Sequence, residues 1–274
     1  MDNLISMSYL NKNLHDKSLA IVDCRFNLAQ PNEGREAYKQ DHIKGAHYLH
    51  LDEDLSSDVL EHGGRHPLPT IDTFVNKLEQ IGIDKTKHVI AYDDQDGPFA
   101  SRLWWLLNYL GHDKVSVLNE NYSTWKEAGY PITDEVPVKV NTTFHPQIQS
   151  DMIVDIDQVK EQKKQNALTL IDARAEERYL GEKEPIDFKA GHIPGAINYF
   201  WKNTLTDKGL MKSNEALETY FASLQNKDNL VVYCGSGVTA SVTVLALDNL
   251  GIKAKLYPGG WSDWSSYDEN PVAK

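Results

Sequence analysis

Residues 229–251 read NLVVYCGSGVTASVTVLALDNLG. Leu230 to Tyr233 favour a strand, and the run ends on Cys234. Two glycines, a serine and a threonine follow, and Ala240 to Asn249 then carries a helical apolar pattern. The stretch is a strand, a tight loop and a helix, with a thiol at the carboxyl end of the strand. Ligand sites of open α/β sheets lie at that end.

Residues 88–111, HVIAYDDQDGPFASRLWWLLNYLG, repeat the pattern, with Asp93 in the place of Cys234. The repetition extends outward from there. Leu19 to Arg25, LAIVDCR, matches Leu168 to Arg174, LTLIDAR. Asp41 to Leu49, DHIKGAHYL, matches Gly191 to Tyr199, GHIPGAINY. Val115 to Trp125 matches Lys255 to Trp264 with one slip. A spacing of about 140 to 150 residues is too long for a solenoid and marks a duplicated domain. The expected division is a first domain over 1–135, a proline-bearing linker over 136–149 and a second domain over 150–274.

The runs Leu19–Asp23, Val89–Tyr92, Val115–Leu118, Leu168–Asp172, Leu230–Tyr233 and Ala254–Tyr257 are apolar on both faces, as buried parallel strands are. Helical periods cover Thr73–Gln80, Ala100–Leu110, Glu215–Leu224 and Ala240–Asn249. Strands alternating with helices predict an α/β fold, each domain a mostly parallel sheet with helices on both faces.

Composition narrows the function. The 274 residues hold 28 Lys and Arg against 40 Asp and Glu, a formal charge of −12. That balance speaks against nucleic acid as a partner. No run is long and apolar enough for a membrane partner. Only two cysteines are present, so a disulfide framework is not expected and a reducing, cytoplasmic setting is.

The loop Cys234 to Thr239 defines the chemistry. Gly235 and Gly237 let the backbone turn its amides inward, and the helix that follows adds its positive end. Amides of Gly235, Gly237, Val238 and Thr239 then favour a thiolate, with hydroxyls from Ser236 and Thr239 nearby. Cysteine phosphatases need an arginine six positions after the cysteine, where this chain has Ala240. A small sulfur anion is the better guest for such a loop. A binding module that only recognises anionic partners remains an alternative.

With these motifs the chain resembles the two-domain rhodanese-family sulfurtransferases. The resemblance covers nearly the whole sequence. It implies two tandem rhodanese-like domains, a silent first copy and a Cys234 persulfide in the second. No metal or organic cofactor is implied. Asp93 fits the silent copy, because a carboxylate cannot usefully attack sulfane sulfur. Cys-Gly-Ser-Gly-Val-Thr resembles the loop of the 3-mercaptopyruvate enzymes, whereas thiosulfate enzymes carry Cys-Arg-Lys-Gly-Val-Thr. The resemblance implies Arg178 as a donor-binding residue, with Arg174 a further candidate. It also implies a relay of Ser236, His66 and Asp52. Asp187 stands where mercaptopyruvate enzymes carry a second arginine, which keeps thiosulfate open as the donor. Lys189 or an arginine from the first domain is left to compensate; Arg65, beside His66, is a separate candidate for facing the same cleft. Acceptors implied are cyanide, a small thiol or a thioredoxin-like protein. His42 and His192 recur in both halves and are expected to be structural. Trp261 and Trp264 read as packing, and Cys24 as a bystander.

Overall fold

A computed structural model describes residues 2–274. The chain divides into two compact units. The first comprises residues 1–57 and 68–149, the second residues 58–67 and 150–274.

The first unit runs β1 (Leu4–Ile5), α1 (Met7–Asn13), β2 (Leu19–Asp23), α2 (Glu33–Gln40), β3 (His42–Ile43), β4 (His47–Tyr48) and α3 (Leu51–Asp54). After residues 58–67 it resumes with α4 (Ile71–Gln80), β5 (His88–Tyr92), α5 (Pro98–Tyr109), β6 (Val115–Leu118), α6 (Tyr122–Glu127) and β7 (Ile132–Thr133). Its main sheet has the order β1-β6-β5-β2-β4 and is parallel throughout. β3 and β7 form a small antiparallel pair.

The second unit holds α7 (Ile156–Lys164), β8 (Thr169–Asp172), α8 (Glu176–Tyr179), β9 (Ile197–Asn198), α9 (Asn214–Tyr220), β10 (Leu230–Tyr233), α10 (Ala240–Asn249), β11 (Ala254–Leu256) and α11 (Gly260–Trp264). Its parallel sheet has the order β11-β10-β8-β9. The copy extends to details: Ile153 bridges Leu256 in parallel, as β1 does β6. His192 bridges Ala273 antiparallel, as β3 does β7.

The strands read from sequence are present with ends shifted by at most a residue, because residues apolar on both sides suit a strand covered on both faces. α5 and α10 are buried around almost their whole circumference, Pro98–Leu107 and Ala240–Leu247 respectively. Helices without a polar face must be packed on every side. The expected helix Glu215–Leu224 differs: α9 ends at Tyr220, and a short 3₁₀ turn covers Ala222–Leu224.

Residues 136–149, expected as linker, pack on the first unit. Phe144 is buried, its amide donating to Glu79 Oε1 at 2.8 Å. The Gln147 amide donates to the Leu110 carbonyl at 2.8 Å. Residues 58–67 also depart from the expected division, since they belong to the second unit. The Gly63 amide donates to Asp263 Oδ1 at 2.8 Å, and His62 stacks on Tyr267.

Candidate active site

Cys234 follows β10 directly and is only 2% exposed. α11 fixes the shape of the loop behind it. The Trp261 amide donates to the Cys234 carbonyl and the Ser262 amide to the Gly235 carbonyl, each at 2.8 Å. In a trans peptide the N–H points opposite to the C=O, so the amides of Gly235 and Ser236 turn away from α11. On the helix side, the Val238 and Thr239 carbonyls accept from Ser241 and Val242. The Thr239 and Ala240 amides therefore point out of the amino end of α10. Gly237 closes the turn with φ +74, and a Cβ there would stand 2.6 Å from the Pro258 carbonyl oxygen.

The first unit shows what a loop of this build accommodates. Asp93 follows β5 as Cys234 follows β10, and it is 3% exposed. Its Oδ1 accepts from the amides of Gln95 at 3.0 Å and Gly97 at 2.9 Å. Its Oδ2 accepts from Phe99 at 2.9 Å and Ala100 at 3.0 Å. Four amides thus close on one carboxylate. Burial pushes the Asp93 carboxyl up from the ordinary value, and those amides work against the rise. Gly97 has φ +95 at the start of α5, in the place of Gly237 at the start of α10.

Ser236 and His66 meet. Ser236 Oγ lies 2.7 Å from His66 Nδ1, and both residues are buried. The two belong to the second unit, His66 through the 58–67 segment. Asp52 lies in the first unit, exposed in the opening turn of α3, with its amide donating to His50 Nδ1 at 3.2 Å.

A cluster of arginines and carboxylates lies beside the loop. Arg178, on α8, donates from Nη2 to Glu184 Oε1 at 2.7 Å and to Asp187 Oδ2 at 3.0 Å. Arg65 donates to the other oxygen of Asp187. Asp187 is pushed up by burial, and Arg65 and Arg178 pull it back. Burial would also raise Glu184, but the Arg178 hydrogen bond and the amides of Asp187 and Ile186 hold it below the usual carboxylate range.

Arg174 is placed differently from a donor-binding residue. Its side chain is 1% exposed, and its guanidinium serves Asp172, Glu184 and the Gly191 carbonyl. Arg25 repeats the arrangement in the first unit, on Asp23 and the Asp41 carbonyl. The same Asp–Arg pair is thus present in both copies. Lys189 is turned to the Tyr267 carbonyl at 2.9 Å. His42 and His192 each accept a structural task, stacking on Tyr38 and Tyr179 and bonding the carbonyl of the same tyrosine. Cys24 is buried, and its thiol is pushed well up, by burial first and then by Asp23, Asp93 and Asp54. The sequence gave Arg178 as a donor-binding residue by resemblance and Arg65 as the neighbour of His66, but it brought neither guanidinium to Gly235, because neither is near Cys234 in sequence.

Comparison with known proteins gives this geometry a family. The rhodanese-like domain matches over residues 6–128 and again over 155–267. The chain belongs to the rhodanese family and is a two-domain sulfurtransferase. It is 39% identical to a Pseudomonas aeruginosa protein named "Probable 3-mercaptopyruvate sulfurtransferase", over 98% of this chain and 97% of that one. It is 30% identical to the thiosulfate sulfurtransferase of Rattus norvegicus, over 95% of this chain and 91% of that one. Among solved structures it is similar to SseA of Escherichia coli, described as a 3-mercaptopyruvate sulfotransferase. The TM-score there is 0.84, with 29% identity over 96% of this chain and 100% of that one. Among the described residues no helix is long and apolar enough to cross a membrane.

Proposed function

We propose that Cys234 takes sulfur from 3-mercaptopyruvate and holds it as a persulfide. The Cys234 thiolate attacks the donor sulfur; the carbon–sulfur bond breaks, and its electron pair leaves as pyruvate enolate. The enolate carbon then gains a proton. Ser236, bonded to His66, is placed to deliver it, and His66 to reprotonate Ser236. The outer sulfur of the persulfide is an anion within reach of the amides of Gly235 to Thr239. A nucleophile (cyanide, a small thiol or a thioredoxin-like protein) attacks that sulfur, and Cys234 leaves as thiolate. With both cysteines unpaired, the reducing cytoplasm is the setting proposed.

One observation supports the reading: the twin loop of the first unit wraps four amides around the Asp93 carboxylate, and in the second unit Cys234 follows β10 as Asp93 follows β5. The test is intact mass after incubation with donor. The protein should gain one sulfur, and Cys234→Ser should gain none; sulfur uptake by that variant would end the proposal. Ser236→Ala should keep the mass gain and lower kcat by roughly 100-fold with 3-mercaptopyruvate. Thiosulfate is the second reading, favoured by two guanidinium groups beside the loop, which suit a dianion. The ratio of kcat/KM for the two donors decides between them.

A further inference from the structure

Two guanidinium groups converge on the residue next to the nucleophile. A Cβ built on Gly235 would stand 2.7 Å from Arg65 Nη2 and 3.9 Å from Arg178 Nη1. Each arginine turns its other terminal nitrogen to a carboxylate: Arg65 Nη1 to Asp187 Oδ1, and Arg178 Nη2 to Asp187 Oδ2 and Glu184. Asp187 is 4% exposed and so bridges the pair from beneath, while Arg65 is 30% and Arg178 16% exposed. A guanidinium offers five N–H donors, and Asp187 takes one from each arginine. Arg178 Nε also goes to Glu184, which leaves Arg65 Nη2 and Arg178 Nη1 as the terminal nitrogens beside Gly235.

We propose that Arg65 is a donor-binding residue. With Arg178 it grips the carboxylate of the α-keto acid donor, one terminal nitrogen from each arginine on one carboxylate. Asp187 holds the two cations at a fixed separation that their mutual repulsion would otherwise open. Gly235 is bare because any side chain there would take the space of the Arg65 guanidinium. The 58–67 segment therefore brings a specificity residue to the loop as well as His66. This inference rests on the sulfurtransferase reading of Cys234, and it deepens that reading by naming what holds the donor.

The test compares Arg65→Ala and Arg65→Lys with the unaltered protein in two assays. In the first, steady-state kinetics with 3-mercaptopyruvate, Arg65→Ala should raise KM about tenfold with kcat within about twofold, the signature of lost ground-state binding. Arg65→Lys should recover part of the loss. In the second, Cys234 is alkylated with iodoacetate and with iodoacetamide, which differ in charge and hardly in size. The rate ratio, iodoacetate over iodoacetamide, should fall about tenfold in Arg65→Ala and recover in part in Arg65→Lys, since one nearby cation is removed. A merely structural role would slow both reagents alike. An unchanged ratio together with an unchanged KM would overturn the assignment. Failure of the unaltered protein to take up sulfur would sink the sulfurtransferase reading instead, and the alkylation ratio would still judge Arg65.

Discussion

At position 93 a carboxylate stands where the second unit carries Cys234. The three acids of the DDQDG run look, in sequence, like a site spoiled by negative charge. The structure shows that one of them, Asp93, is the internal guest of its own amides. Removing it takes the acceptor from four amides, of which those of Phe99 and Ala100 are buried. Asp93→Ala should cost about 3 kcal/mol, the penalty of orphaned buried polar groups. Thermal melts should also show partial rescue by formate or chloride, which can enter the vacated space. Equal melting of both forms, or no response to anions, would contradict this account of the loop. Cys234 was legible because a thiol at a strand end beside two glycines has few bland explanations. Arg65 was legible only as the neighbour of His66, since nothing local ties it to residue 235.

Among elements, α10 depends on the turn before it. Gly237 sits at φ +74, and a Cβ added there would stand 2.6 Å from the Pro258 carbonyl oxygen. Gly237→Ala should cost about 2 kcal/mol or more, from left-handed backbone strain plus the clash. Denaturant unfolding measures it, and a cost below about 0.5 kcal/mol would show that the turn relaxes freely. Strand–loop–helix units like this one were readable because their apolar runs are dense. α2 and α7 were not: α7 buries only Val159, and α2 only Gly34 and Tyr38. So thin a stripe gives no usable period. In α7 a capping box marks the start instead, with Asp155 accepting from the Gln158 amide at 2.8 Å and Gln158 answering at 3.0 Å.

For the molecule as a whole, acid should strike the two units unequally. His47, His88 and His112 all lie in the first unit, and each imidazole is held below its ordinary value, chiefly by burial. A depressed imidazole stabilises the fold fully above the unfolded value, near 6.5, and loses that contribution as pH falls toward the folded value. His112 is the most enclosed, at 1% exposure, with Nε2 3.1 Å from the Lys114 carbonyl oxygen. Hydrogen exchange should therefore show the first unit opening earlier as pH falls from 7 to about 5.5. His112→Gln should flatten the fall, and an unaltered slope in that variant would remove this histidine from the explanation. The duplication itself was plain in the sequence, because whole motifs recur in order. The place of residues 58–67 was hidden: they are a short glycine- and histidine-rich loop without periodicity, and only contacts group them with the second unit.

That crossing has a consequence for anyone wishing to shrink the enzyme. A gene trimmed to begin at Ser150 would encode Cys234 and Ser236 but neither His66 nor Arg65. A minimal version must graft the decapeptide Asp58–Pro67 back on, as a permuted leader or a tether, so the two copies can no longer be inherited or engineered apart.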